Sequence, residues 1–587
     1  MPVGDLIRSN AVDTRRAQRI FLKYEEWQCT FADYYAECSR WARLLLKVAE
    51  DGSSASTPSP QTSGRPFHVG ILLDNIPDYF FALGGAMLAG AVVSGINNTK
   101  RGSHLARDIA YTDCRILVTE DKYLSLLDPV LDETGVAPQG VLVTRRWDEG
   151  SSLTSRQSHK PSSPQDVDQG LRDLVDASDP KGEVNDKDIA LLVFTSGTVT
   201  APKAVMCSQG RLVETGKNVG LNTYQLTEND AGYIAMPLFH ANALMCGWLP
   251  ALYYGVSLGM IRKFSKTRWL SDIRRYGATF FNYTGKPLAY ILSTPPQPDD
   301  HVNPLRICYG NEGSNKVVAE FEQRFGCKVI DVFGSSEGGV GVTRQPTDPP
   351  NSIGFPAFGI QVVDEHGQER TPARFDASGR LLNADEAVGE IVNTLGVGWF
   401  EGYYKNDEAM QQRTRNGWYW SGDLGYKDEK GYLYFAGRDI EWLRVDGENF
   451  VARPIEEILH RHPDVVLAAI YGVPDPDGGD RVMAALILRE GAVFDLQGFA
   501  IFLREQPDLS PKWLPTFVRI ANQLPQTASS KVIKTELRKQ KFRLDRCGDP
   551  IYWRSRIDQP FALLSADDYE ALLRRFVAVG REGALDL

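Results

Sequence analysis

The chain has 587 residues, 42% apolar and 24% charged, with a formal net charge of −10. That length demands several subdomains rather than one core, and the composition is that of a folded, globular protein rather than a disordered one. The acidic balance argues against nucleic acid as a main partner, because phosphate backbones attract clustered Lys and Arg.

Met1–Lys23 is charged throughout and has no apolar core segment, so no secretory signal is expected. His68–Leu73 reads as a strand. Behind it Tyr79, Phe80, Leu83 and Met87 recur at helical spacing after Pro77, and proline is tolerated in a first helical turn because its missing N–H has no partner there. Phe80–Ile96 is uncharged and a little short for a bilayer span. It is rich in Gly and Ala and leads into a second strand at Ala91–Val93, so it reads as a buried helix. Ile116–Thr119 and Gly140–Val143 are further strands. Asp51–Arg65 and Ser151–Gln169, rich in Ser and Pro, are expected to be exposed insertions. Strands alternating with helices define an α/β class. Eight cysteines stand singly without a Cys-x-x-Cys pair, so neither a zinc site nor a disulfide framework is expected, and a reducing cytoplasm fits best.

The apolar run Leu191–Phe194 stops in Thr195, Ser196, Gly197 and Thr198, and Lys203 follows. Hydroxyls, a permissive glycine and a lysine charge suit a phosphate-holding turn at a strand end. This is not the common P-loop, which would put a glycine directly before Lys203 and Ser or Thr after it; Pro202 and Ala204 stand there. A purely structural turn is the other reading of this run alone. Strand-like Tyr233–Met236 runs into Pro237-Leu238-Phe239-His240, and Lys328–Ile330 into Phe333-Gly334-Ser335-Ser336-Glu337. Ser336 and Glu337 offer a hydroxyl for phosphate and a carboxylate for Mg²⁺, or else a helix cap. Asp423, flanked by Gly422 and Gly425, can accept from two ribose hydroxyls or sit in an ordinary turn. Arg438, after Tyr432–Gly437, can reach the same sugar or pair with a surface acid. His240 is alternatively a satisfied core histidine.

Past Gly437 the texture changes. Ala452–His460 and Leu496–Arg504 read as helices, and Val465–Val473, Val482–Leu488 and Phe517–Ile520 as strands: a compact α+β unit of ordinary domain size. Leu524–Lys531 then offers a lysine in a loop of small residues ahead of the helical Thr535–Lys539. A lysine over a reacting phosphate would stabilise the negative charge that builds there; a solvated surface lysine is the bland alternative.

These segments, in this order, resemble the adenylate-forming superfamily of acyl-CoA synthetases, luciferases and peptide-synthetase adenylation domains, from about Thr30 to Phe576. The resemblance implies a large multi-subdomain N-terminal region (1–437), a hinge (438–441) and a small mobile C-terminal domain (442–587). It implies Lys531 and His240 as catalytic residues and Glu337 as the Mg²⁺ ligand. ATP would be held by Thr195, Ser196, Gly197, Thr198, Lys203, Phe333, Gly334, Ser335, Ser336, Asp423 and Arg438. Gly310, Asn311 and Glu312 are similar to the family's adenine-contacting loop. The acyl group would lie among Asn242, Ala243, Gly247, Tyr283, Thr284 and Gly285, with Asp439, Ile440, Gly447, Glu448 and Asn449 on the hinge and coenzyme A side. Trp442–Asn449 and the tail Asp549–Trp553 with Phe561–Tyr569 resemble the very-long-chain acyl-CoA synthetase and fatty acid transport protein branch, particularly its bacterial fatty-acyl-CoA synthetases.

The resemblance implies the reaction of a carboxylic acid, expected to be a medium- to very-long-chain fatty acid, with ATP and coenzyme A, releasing AMP and pyrophosphate. Transfer to a carrier protein, an aryl or sterol acid as substrate, and a non-catalytic fatty-acid-binding protein are the alternatives. Peripheral membrane contact and the oligomeric state stay open. The chain departs from many members at Thr200 and Ala204, where they carry glycine, and at Ile440, where they carry Asp or Lys. A weaker grip on ATP, and either a slower domain rotation or a pivot shifted to Asp439, are the expected consequences.

Overall fold

The computed structural model describes residues 1–51, 66–147, 165–195, 203–284, 287–311, 313, 315–345, 347–349, 352–376, 381–437, 442–445, 448–476, 480–506, 509–527, 532–579 and 581–585. The chain forms two compact units. One comprises Met1–Tyr283, Val302–Tyr309 and Trp399–Gln411, the other Thr284–His301, Gly310–Gly398 and Gln412–Leu587.

The first unit holds β1 (Ile20–Tyr24), β2 (Trp27–Thr30), β3 (His68–Leu72), β4 (Val92–Gly95), β5 (Cys114–Glu120), β6 (Val141–Thr144), β7 (Gln165–Asp166), β8 (Ile189–Phe194), β9 (Ala204–Ser208), β10 (Ala231–Ile234), β11 (Ser257–Met260), β12 (Phe280–Thr284) and the first residues of β13 (Ile307–Asn311). One sheet, in the order β7-β6-β5-β3-β4-β8-β9, is parallel as far as β8 and antiparallel in its last pair. In the other, β12, β10, β11 and β1 run parallel side by side and β2 turns back along β1. The central strands are buried on both faces, which is why they read as unbroken apolar runs rather than alternating ones.

The uncharged stretch after Pro77 is a helix, Pro77–Ala89, with every residue from Pro77 to Leu88 buried. Its glycines allow close approach: a Cβ on Gly84 would sit 2.4 Å from Cys38 Sγ, and one on Gly85 2.7 Å from Trp41 Cβ, both on the helix Phe31–Asp51. Gly90 turns left-handed at φ 69° and ends the helix, and β4 follows. Among the described residues no helix is long and apolar enough to cross a membrane. The second expected insertion is shorter than Ser151–Gln169. Gln165–Asp166 pairs with β6, and the Asp166 carboxylate caps the helix Val167–Arg172 by accepting from Gln169 N at 2.9 Å.

The second unit holds β14 (Lys328–Gly334), β15 (Gly341–Thr343), β16 (Ile360–Val363), β17 (Gly389–Asn393), β18 (Tyr419–Lys427), β19 (Leu433–Gly437), β20 (Trp442–Val445), β21 (Glu448–Val451), β22 (Val465–Pro474), β23 (Asp480–Leu488), β24 (Phe517–Ile520), β25 (Ile551–Trp553) and β26 (Ala562–Leu563). β14 and β15 form a hairpin, β16 to β19 an antiparallel sheet, and β20 with β21 a second hairpin. β22 to β26 make a five-stranded sheet whose two faces bury separate clusters. Leu467, Ala469 and Tyr471 face one side, with Leu537, Leu572 and Phe576; Ala468 and Ile470 face the other, with Ile455, Leu459, Phe499 and Leu503. Successive strand residues point to opposite faces, so helices cover both. The tail closes this layer: β25 and β26 extend the sheet, and the helix Ala566–Ala578 starts at a capping box between Ser565 and Asp568.

Candidate active site

In the first unit the phosphate-loop candidates sit on the β8·β9 hairpin. Phe194 pairs with Ala204, and Thr195 N donates to Lys203 O at 3.0 Å, which closes the neck of the loop. The Lys203 ammonium stands 5.9 Å over the Tyr403 ring. Tyr403 is held there because its neighbour Tyr404 donates to Ala204 O at 2.8 Å and Met206 N donates to Gly402 O. Ala204 is buried with Val92 and Leu192, so its methyl belongs to the core. Ser196, Gly197, Thr198 and Thr200 lie outside the described residues.

His240 stands directly before the short helix Ala241–Ala243, its ring tilted against Phe239 with centroids 4.7 Å apart. The strand-to-helix connection ahead of it is clamped by buried Asn75, whose side chain donates to Met236 O at 2.9 Å and accepts from Leu238 N at 3.0 Å. Asn75 was not singled out in the sequence. The available signal was a polar pair, Asp74-Asn75, directly after the apolar β3 run, the strand-end position where α/β sheets place functional groups.

His240, Asn242, Ala243, Gly247 and Tyr283 share this unit. Asn242 Nδ2 donates to Tyr283 O at 3.1 Å, and buried Asn282 Nδ2 donates to Asn242 Oδ1 at 2.7 Å. Gly247 packs tightly: a Cβ there would stand 2.7 Å from Ile234 and 3.0 Å from Asn282 Oδ1. Asn282 joins the polar set as a residue the motifs did not reveal.

In the second unit Gly310 and Asn311 end β13, and Gly313 N donates to Asp331 Oδ2 at 2.7 Å, fixing the following turn on β14. Phe333 pairs with Val342 and Gly334 with Gly341, and the Phe333 ring lies 5.4 Å from Phe435. The turn after β14 closes where Gly338, at φ 72°, donates to Ser335 O at 3.1 Å. That places Ser336 half-buried and Glu337 buried at 6% exposure.

Buried Tyr419 on β18 ties this turn to Asp423. Burial pushes its hydroxyl up, and the nearby Glu337 carboxylate adds to that, against Arg413 and a hydrogen bond with Ser335; Asp423 contributes a further upward push. Gly339 lets the ring in, since a Cβ there would fall 2.3 Å from Tyr419. Asp423 is buried too, its N–H accepted by Ser421 Oγ at 3.1 Å. Thr284 is buried in this unit. Glu448 and Asn449 pair with Val445 and Arg444 in the β20·β21 hairpin.

Gly285, Glu312, Arg438, Asp439, Ile440, Gly447 and Lys531 lie outside the described residues. The flanks of Lys531 are defined: Gln526 bridges Val532 antiparallel, and Ile533 N donates to Pro525 O at 2.8 Å. Three residues beyond Lys531, Lys534 pairs at 2.9 Å with buried Glu456, whose carboxylate also accepts from Ile470 N at 2.9 Å. Tyr290 OH donates to Gln526 Oε1 at 2.9 Å.

This fold is that of the adenylate-forming enzymes. An anthranilate CoA ligase, AuaEII, solved with anthranoyl-AMP, superposes with a TM-score of 0.75 at 20% identity, covering 92% of this chain and 96% of that one. A benzoate CoA ligase from Burkholderia xenovorans gives 0.73 at 18%, covering 92% and 100%.

The chain belongs to the AMP-binding enzyme family, which it matches over residues 9–404, with the AMP-binding enzyme C-terminal domain over 454–531. It is 43% identical to the steroid-22-oyl-CoA synthetase of Rhodococcus jostii, over 92% of this chain and 94% of that protein. It is 41% identical to the medium/long-chain-fatty-acid–CoA ligase FadD17 of Mycobacterium tuberculosis, over 83% and 89%.

Proposed function

We propose that the protein is an AMP-forming acid–CoA ligase for a large hydrophobic carboxylic acid, with a medium- or long-chain fatty acid as the first substrate to test. The observation that carries this reading is the near full-length similarity to two relatives that join coenzyme A to hydrophobic acids. In the first step the acid carboxylate attacks the α-phosphate of ATP to give acyl-adenylate and pyrophosphate. In the second the coenzyme A thiol displaces AMP. A steroid side-chain acid is the second reading, favoured by the Rhodococcus relative.

The roles are those that the resemblance to the family's motifs implies. Lys203 and the hydroxyls from Thr195 to Thr198 hold phosphate oxygens. Asp423 and Arg438 hold the ribose, and Gly310, Asn311 and Glu312 border the adenine. Lys531 stabilises charge building at phosphorus in the first step. His240, Asn242, Ala243, Gly247, Tyr283, Thr284 and Gly285 border the acyl group. The donor set suits Mg²⁺: Glu337 is a buried carboxylate beside hydroxyl donors, and Mg²⁺ takes one or two carboxylates along with waters and substrate phosphates. Bound there, the ion would neutralise phosphate charge. Residues 1–437 act as the large domain. Residues 442–587 turn about 438–441 between the steps, bringing the segment around Gly447, Glu448 and Asn449 into use in the second. A reducing compartment suits the eight free cysteines.

The test is a carboxylic acid panel with ATP and coenzyme A, products resolved by chromatography. AMP, pyrophosphate and acyl-CoA from a fatty acid are expected. ADP and phosphate would overturn the mechanism. Turnover of a steroid acid with failure of every fatty acid would move the substrate to the second reading.

A further inference from the structure

The chain after His240 does not run on as an ordinary helix. Over Leu244–Trp248 it widens to a π-helical turn, with Leu249 N–H donating to Leu244 O, five residues back. Such turns are rare and cluster at functional sites. The sequence supplies the cause. The residue four after Cys246 is Pro250, which has no N–H to offer the Cys246 carbonyl and whose ring crowds it. A second widened stretch, Val219–Tyr224, ends at left-handed Gln225, φ 52°, whose N–H donates to Gly220 O.

The two are tied together. The Tyr224 hydroxyl donates to the Cys246 carbonyl at 2.8 Å. Tyr224 is fully buried, its ring 4.5 Å from Phe280 on β12 and 5.8 Å from Tyr309 on β13. Helix-to-helix contact here leaves no slack: a Cβ on Gly216 would fall 2.8 Å from Leu249, and one on Gly220 2.2 Å from the Tyr254 ring. The residue after the tethered carbonyl is Gly247, seated on Ile234 and Asn282, and Asn282 in turn holds Asn242.

We propose that Tyr224 is a positioning residue for acyl specificity: by holding the Cys246 carbonyl it fixes the widened turn that sets Gly247 and Asn242, and with them the shape of acyl group accepted. This rests on the reading that Asn242 and Gly247 border the acyl group. Without the hydroxyl the half-buried Cys246 carbonyl loses its partner, and since Pro250 offers no N–H in its place, the widened turn is left unpinned and shifts to find another donor. A shift of Leu244–Trp248 about the helix axis carries Gly247 off Asn282.

The experiment compares the full chain with Tyr224→Phe, Pro250→Ala and the double variant on straight-chain acids of different length and a steroid side-chain acid. Pro250→Ala returns an N–H to the Cys246 carbonyl, lets the turn tighten to the ordinary bond four residues back, and so displaces Gly247 by a different route. Each single variant should change the acid KM and the ratio of kcat/KM between acids by about threefold to tenfold, the scale of one hydrogen bond. The ATP KM should stay put, and the double variant should do no more than Pro250→Ala alone, because the new N–H takes the carbonyl that the lost hydroxyl leaves. Unchanged acid constants and preferences in both singles, or a loss of active enzyme alone with all constants kept, would overturn the proposal. Asn242→Ala reports on the underlying reading. If it shifts the acid KM while Tyr224→Phe and Pro250→Ala do not, the brace is wrong and the acyl site stands. If it too is silent, the acyl site and the brace fall together.

Discussion

In the second unit, the turn after β14 and the strand β18 bring Glu337 and Asp423 around Tyr419 through backbone devices: a left-handed glycine at 338, a glycine at 339 that admits a ring, and a serine hydroxyl that takes the Asp423 N–H. In the first unit, His240 to Trp248 is held by side chains from segments distant in sequence: Asn75, Asn282 and Tyr224. The two constructions match what each is proposed to meet. A nucleotide is the same for every substrate, so its contacts can be written into short glycine-rich turns whose geometry is local. An acyl group differs between enzymes, and its shape is met by where a helix lies and how wide its turns are. Substitutions in the first construction should therefore move ATP constants, and those in the second acid constants.

Two lysines three residues apart, Lys534 and Lys531, must be separated before that contrast is measured. Burial alone would raise the Glu456 carboxyl, but Lys534, Arg453 and the Ile470 N–H outweigh it and hold it below its ordinary value. A depressed pKa means the stabilisation is present above the unfolded value, about 4.3, and is lost as pH falls through the folded one. Glu456→Gln leaves Lys534 without its charged partner and should cost about 3–5 kcal/mol in urea unfolding at neutral pH. The gap should shrink in acid as the parent loses its own ion pair. A constant gap across that range would show that the pair carries no net stabilisation. Lys531→Ala, by contrast, should unfold like the parent. It should lose ~100-fold or more in acyl-adenylate formation, the scale for one electrostatic transition-state contact. Given preformed acyl-adenylate it should make acyl-CoA at near the parent rate. Equal loss in both half-reactions would reject its confinement to the first.

Much of this was legible in the chain itself, and the exceptions share a cause. The strand end at Phe194, the buried helix after Pro77 and the α+β order after Gly437 all come from patterns along the sequence, because period and turn chemistry are local. The Asn75 clamp joins residues 163 apart in sequence to Leu238, and Asn282 lies 40 from Asn242. No window contains both partners. The widened turn at Leu244–Trp248 was written as Pro250, but a proline four residues on reads equally as a kink or a helix start until Tyr224 is seen to take the freed carbonyl. Gln165–Asp166 was masked by the polar segment before it and became a strand only by pairing with β6.

On the nucleotide side, Asp423→Ala should raise the ATP KM about tenfold, the scale of a hydrogen bond to a charged group, and leave the acid KM within error. Its fold should survive, since the substitution keeps the Asp423 N–H that Ser421 Oγ accepts at 3.1 Å. A matching rise in the acid KM would break the contrast between the two constructions.

The smallest effect expected separates two positions that look alike in sequence. Thr200 and Ala204 both stand where many family members carry glycine, yet Ala204 is paired with Phe194 and buried with Val92 and Leu192. Its methyl is part of the sheet core, so Ala204→Gly should leave the ATP KM unchanged. It should cost about 0.5–1 kcal/mol in urea unfolding, because glycine loses more backbone freedom on folding. Thr200 stands between Thr195 and Lys203 in the sequence, where a side chain would limit the backbone angles that bring amides to phosphate. Thr200→Gly should lower the ATP KM by a small factor, about twofold to threefold, the size of the same backbone term with opposite sign. The acid KM should not move. A lower ATP KM from Ala204→Gly would show that the β9 end of the hairpin, not its loop, limits the grip on phosphate, and an unchanged one from Thr200→Gly would show that the loop already compensates for its threonine.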